Sequence, residues 1–111
     1  MYLALFIILI LKRKINFEMN KEQSIKVLST IPGVGKSIAN DLWNINITSI
    51  SDLKDRSPKN LYDLSNQKAG VVQDRCLLYV FRCAVYFANT PKWQQEKDKL
   101  KWWNWKDEKT I

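Results

Sequence analysis

The sequence predicts an all-α fold, a compact bundle of four to five helices, on three observations. Apolar residues recur at helical rather than alternating spacing, as in Ile25, Val27, Leu28 and again in Ile38, Ala39, Leu42, Trp43. Helix boundaries are written in turn chemistry, with Ser57-Pro58 as a start and Ala69-Gly70 and Pro91 as stops. The stretch from Val71 to Asn89 is apolar nearly all round, the mark of a buried central helix.

With 111 residues, 46% of them hydrophobic, and only three glycines, the chain suits one small globular domain. Three parts are expected: an apolar and then basic extension over residues 1–18, a helical domain over 19–90, and a Trp/Lys-rich tail over 91–111 packed on it. In the extension, Met1 to Leu11 is almost unbroken apolar sequence followed by Lys12-Arg13-Lys14. Eleven helical residues reach about 16 Å, roughly half a bilayer core. No charge precedes the run and no small-residue cleavage site follows it, unlike a signal peptide. Two readings stay open: translation from a start upstream of Met19, or an anchor with its basic triplet at the cytoplasmic surface. A membrane is a partner only under the second.

Asn20 or Lys21 opens the first helix, with Ile25, Val27 and Leu28 on its inner face. A tight turn, Ile31-Pro-Gly-Val-Gly-Lys-Ser37, separates it from a second helix over about Lys36 to Trp43. Ile45 and Ile47 tuck inward from the next connection, and Ser49 or Ser51 caps a short helical turn holding Ile50 and Leu53. Ser57 at N-cap and Pro58 at N1 start a helix that carries Leu61, Tyr62 and Leu64 inward. Asp74 lies near the start of the buried helix, where the dipole favours a cap or an ion pair. Arg75 and Arg82 share a face one heptad apart. The tail after Pro91 holds four of the five tryptophans, Trp93, Trp102, Trp103 and Trp105, too much apolar surface to leave in water without a reason. A clasp across the bundle is the favoured reading. A stacking platform for unpaired bases and a protein-partner contact are the alternatives.

Composition excludes several chemistries. There is no His, hence no Ser-His or Cys-His pair and no His-containing metal site. Cys76 and Cys83 lie seven apart on one helix face, too far to bridge, and read as reduced core thiols of a cytoplasmic protein. No metal or cofactor is expected. There are 18 Lys/Arg against 11 Asp/Glu, and the net charge of +7 favours a polyanionic partner.

The turn is the candidate site. Pro32 cannot extend the first helix, Gly33 and Gly35 permit a close backbone approach, and the second helix starts with N–H groups lacking intrahelical partners. Such a turn is suited to phosphate. Gly-Lys-Ser also ends a P-loop, but the first P-loop Gly would fall at Thr30, and the residues upstream have helical rather than strand spacing. Nucleotide binding is therefore rejected. A purely structural helix–helix connection remains the alternative.

Leu28 through Ala39 resembles a helix-hairpin-helix motif: apolar, Pro, Gly, apolar, Gly, Lys, then small and apolar residues. The resemblance implies that Gly33, Val34, Gly35, Lys36 and Ser37 grip the phosphate backbone of DNA, most readily double-stranded, without reading bases. Asn46 stands where such domains commonly have Gly, and Asn also tolerates the left-handed conformation. The later connection, Asn66 to Val72, has one Gly and would be a degenerate second hairpin. Further stretches, Ser51-Asp-Leu-Lys, Ser57-Pro-Lys-Asn-Leu-Tyr, Asp74-Arg-Cys-Leu-Leu-Tyr and Leu100-Lys-Trp-Trp-Asn-Trp, look like the pathogenicity-locus family of small bacterial helix-hairpin-helix proteins. Some of its members are labelled mitomycin resistance proteins. The family implies DNA binding in a repair or maintenance setting and no defined chemistry. Asp55 falls where some helix-hairpin-helix glycosylases place a catalytic Asp, yet no second domain is present to receive a flipped base. The protein is expected not to be an enzyme. A protein-interaction module acting through the helical surface or the tail is the alternative function.

Overall fold

A computed structural model describes residues 19–107. The extension over 1–18, and with it the choice between anchor and upstream start, lies outside the described residues. The fold is all-α, with four α-helices among the described residues: α1 (Lys21–Leu28), α2 (Lys36–Asn44), α3 (Pro58–Ala69) and α4 (Cys76–Asn89). Single 3₁₀ turns occupy Ile50–Leu53, Lys92–Gln94, Lys97–Leu100 and Trp102–Trp105. Among the described residues no helix is long and apolar enough to cross a membrane.

Local chemistry sets most boundaries. Asn20 caps α1 in a reciprocal box: its Oδ1 accepts the Gln23 N–H at 2.8 Å, and Gln23 Oε1 accepts the Asn20 N–H at 3.3 Å. The stripe that α1 buries is Ser24 and Leu28, while Ile25 and Val27 are only half-buried. α2 ends in a Schellman arrangement: the Ile47 N–H bonds the Leu42 carbonyl, the Asn46 N–H bonds that of Trp43, and Asn46 sits at φ +68°. Ile47 and Leu42 are both fully buried, which supplies the hydrophobic contact that accompanies this cap. Asp52 reaches back to the Thr48 and Ser49 N–H groups at 3.0 and 3.2 Å and holds the first 3₁₀ turn. Ser57 accepts the Asn60 N–H at the start of α3, and Gly70 closes that helix at φ +76°.

α4 is the axis of the core. Its Leu78, Phe81, Cys83 and Ala84 are almost wholly buried, and α3, the Ile50–Leu53 turn and the C-terminal tail all pack on it. It begins five residues later than the apolar pattern predicts, and Val71 and Val72 stand 63% and 84% exposed. The reason is polar. Gln73 is drawn to α3, its N–H to Asn66 Oδ1 at 2.9 Å and its carbonyl accepting the Tyr62 hydroxyl at 2.6 Å. The chain therefore cannot turn helical before Asp74. Exposure also corrects the thiol assignment: Cys83 is buried and Cys76 is not, because Cys76 occupies the first, open turn of α4.

The tail runs back along α4. The Tyr86 and Trp105 rings lie 5.6 Å apart, Arg82 donates to the Trp105 carbonyl at 2.8 Å, and the Trp105 indole N–H donates to the Lys99 carbonyl at 2.8 Å. Trp102 and Trp105 thus form a clasp. Trp93, 82% exposed, and Trp103, 49% exposed, take no comparable part.

Candidate nucleic-acid interface

The connection between α1 and α2 is built from both sides. Ser29 and Thr30 hydroxyls donate to the Ile25 and Val27 carbonyls at 2.6 Å each and close the end of α1. Ile31 is buried, and its carbonyl accepts the Val34 N–H at 3.0 Å across a turn with Gly33 at φ +84°. A side chain at that φ would be strained. Gly35 then adopts extended backbone as the N-cap of α2.

Of the five residues singled out, Gly33, Gly35, Lys36 and Ser37 are exposed together at this turn. Val34 differs. Its side chain is core, and its N–H is already engaged by Ile31, so it is not an open donor. Among the described residues, none of the Lys36, Ser37 and Ile38 N–H groups has a hydrogen-bond partner; the first bond in α2 is Ala39 N–H to the Gly35 carbonyl. No side chain caps this helix, and its first turn holds no acidic residue. Three donors therefore face outward at the positive end of a helix dipole, beside the Lys36 ammonium. The Ile38 amide belongs to this set, and helix register alone could have added it.

Charge differs between the two sides of the turn, basic toward α1 and acidic toward α4. Lys21, Lys26 and Lys36 surround a concave surface containing Ile25 and Ser29, with Glu22 as its one acidic residue among those described. Asp41 lies further along α2, and partial burial pushes its carboxyl pKa above the ordinary value. On the other side, a groove of about 410 Å³, lined also by Asp41 and Asp74, separates Gly33 and Ile38 from Leu77 and Val80 of α4, with Trp102 on its wall. Trp102 reaches the turn itself. An ideal Cβ on Gly33 would lie 3.0 Å from its Cδ1. A contact between residues so distant in sequence leaves no local signal.

The remaining candidates do not assemble a reactive centre. Asp55 is exposed at φ +60°, and its backbone N–H donates to Asn89 Oδ1 at 2.9 Å, tying this loop to the end of α4. Burial pushes the Cys83 thiol up to about 11, and hydrogen bonding to Asp74 raises that of Cys76, so neither is an activated nucleophile. Arg75 and Arg82 both donate to Asp107, with Tyr79 donating to the same carboxylate at 3.1 Å. The arginine face is an ion-pair site within the chain.

Over 58 residues the chain is 40% identical to mitomycin resistance protein McrB of Streptomyces lavendulae. That similarity covers 52% of this chain and 55% of the relative, about half of each. No solved structure matches the chain. Residues 21–110 match the family model described as Cdd1: Pathogenicity locus, and the chain belongs to that pathogenicity-locus family.

Proposed function

We propose that this protein binds DNA through its phosphate backbone, without base selection, by the α1–α2 turn acting as a helix-hairpin-helix. The observation that carries the reading is the open start of α2: three N–H groups without a partner among the described residues, beside Lys36, with no side-chain cap and no acidic residue in the first turn. The excess of 18 basic over 11 acidic residues supports a polyanion. Lys36, Ser37 and Ile38 offer backbone amides, Ser37 also a hydroxyl, and Lys36 a point charge. No reaction is proposed. The relative's name attaches it to mitomycin resistance, which is a phenotype compatible with a role in DNA maintenance and specifies no chemistry.

Fluorescence anisotropy of a labelled duplex tests this, with the full chain at low and at physiological salt. Affinity should fall as salt rises, because each neutralised phosphate releases counterions. Lys36→Glu should weaken binding at least tenfold, about 1.4 kcal/mol or more, with unchanged circular dichroism. Absence of binding at low salt would remove the reading.

A protein-interaction role is the second reading, favoured by one observation: Trp93 is 82% exposed on the tail, with no packing role. It predicts that Trp93→Ala abolishes a partner contact and leaves duplex binding intact.

A further inference from the structure

The C-terminal tail touches the candidate phosphate site, and this contact extends the DNA-binding reading, on which the inference rests. We propose that the tail is a positioning part of the grip: Trp102, anchored to α4 through the residues that follow it, sets the geometry of Gly33 and so the direction of the Lys36–Ile38 amides.

A turn with glycine at 33 and 35 is intrinsically loose, since each glycine can occupy regions closed to other residues. Loose donors must be ordered by the ligand, which weakens binding; donors held in place beforehand avoid that cost. The turn's own hydrogen bond, Val34 N–H to the Ile31 carbonyl, closes the turn around Gly33, and the Gly35 carbonyl accepts the Ala39 N–H at 2.9 Å. A further restraint on Gly33 is the Trp102 indole. An ideal Cβ at Gly33 would meet Trp102 Cδ1 at 3.0 Å and its Cβ and Cγ at 3.5 Å. The ring therefore lies against the glycine backbone at a position where φ is +84°. The same indole walls the groove whose other side is Leu77 and Val80 of α4, so it bridges the central helix to the turn.

Trp102 is itself held. Three residues on, Trp105 packs on Tyr86 and its carbonyl accepts from Arg82. Two residues further, Asp107 accepts from Arg75, Arg82 and Tyr79, all on the first half of α4 or just before it. The chain from Trp102 to Asp107 is thus fixed at both ends, one on the turn and one on α4. A general hydrophobic clasp would need no contact with the glycine of the turn.

The test compares wild type, Trp102→Ala, Trp102→Phe, Asp107→Asn and Trp93→Ala in the full chain. Amide hydrogen exchange is read at Val34 and Ala39, whose N–H groups are hydrogen-bonded within the turn and first turn of α2, against Leu78 and Phe81 in α4. Local release of the turn should raise exchange at Val34 and Ala39 about tenfold in Trp102→Ala while α4 stays protected. Duplex affinity should fall about tenfold with a shallower salt slope, although no charge has changed. Trp102→Phe should retain most of both properties, Asp107→Asn should show a weaker form of the Ala effect, and Trp93→Ala should match wild type. If exchange rises uniformly across the molecule, or if Trp102→Ala binds duplex like wild type, the positioning role is overturned. Should Trp102→Ala fail to fold, Asp107→Asn decides on the same two measurements. If wild type does not bind duplex yet Val34 alone loses protection, the phosphate reading falls while the coupling of tail and turn stands.

Discussion

The two glycine-bearing connections, α1–α2 and α3–α4, solve the same problem in opposite ways. Each must launch a helix whose first N–H groups lack intrahelical partners. At α4 they are all engaged: Cys76 N–H with Asp74 Oδ1 at 2.8 Å, Leu77 N–H with the Asp74 carbonyl at 3.0 Å, Leu78 N–H with that of Arg75 at 3.0 Å. The loop before it is stitched to α3 by Tyr62, Ser65 and Asn66, all through Gln73. At α2 the equivalent donors are open, and the residue before them is a glycine with no side chain to close them. The second connection is a structural joint. The first leaves the equivalent donors without a partner among the described residues, and that difference locates the candidate site better than the overall charge does.

The largest effect should come from the glycine that makes the open turn. Gly33→Ala places a Cβ at φ +84° and against the Trp102 ring, with an expected loss of about 2–3 kcal/mol. Thermal unfolding should show a Tm lower by roughly 10 °C or more in a domain of this size. Gly35→Ala is the contrast. Its backbone is extended, nothing lies within 4 Å of its added Cβ, and its loss should stay within about 1 kcal/mol, the cost of Ala at an N-cap. Equal losses at the two glycines would break the comparison.

A smaller and more specific effect should follow from exchanging the caps. Gly35→Asp gives α2 the kind of closure that Asp74 gives α4. It should raise stability by a few tenths of a kcal/mol, about the usual Gly-to-Asp difference at an N-cap, and abolish duplex binding by placing a carboxylate on the open amides. Asp74→Ala should do the reverse at α4, lowering Tm by less than Gly33→Ala does and leaving duplex affinity unchanged. Duplex binding by Gly35→Asp at wild-type strength would mean that the α2 amides are not the contact.

What the sequence makes legible here is what is local. Asn46 in the left-handed region, the Ser57-Pro58 start and the Gly70 stop each depend on a few neighbouring atoms, so each can be read from a few letters. The exposed Gly33, Gly35, Lys36 and Ser37 belong to the same class. Val34 shows the limit: the motif places it among the phosphate contacts, but the turn's own hydrogen bond engages its amide. Val71 and Val72 read as helix because they are apolar, and the polar side chains of α3 that hold Gln73 off the helix are separated from them in sequence. Cys76 reads as core for the same reason. Trp102 against Gly33, and Asp107 between Arg75 and Arg82, join ends of the chain that no periodicity connects. Such contacts follow from the packed fold alone.

The subtlest effect concerns the tie that holds the tail near the open turn. Hydrogen bonding to Arg75, then to Arg82 and Tyr79, holds the Asp107 carboxyl well below the usual carboxylate range. A group whose folded pKa is depressed binds its proton more readily in the unfolded or released chain. Its contribution is therefore complete above the ordinary Asp value near 3.9 and is lost as pH falls through the folded pKa. The tail should stay latched at neutral pH and loosen only in acid, beginning below about pH 4–5 as the released carboxylate becomes protonatable. Because the carboxylate is 40% exposed in side-chain area, solvent screening keeps the effect modest. Tryptophan emission during an acid titration should shift to the red as Trp102 and Trp105 gain water, ahead of the loss of helical ellipticity. In Asp107→Asn that early shift should be absent, with the emission already partly red-shifted at neutral pH. An early shift of equal size in both proteins would assign the acid response to another carboxylate and leave Asp107 as a solvated surface group. A shift present only with Asp107 would identify the tie whose loosening should, at the first connection but not the second, also loosen the turn.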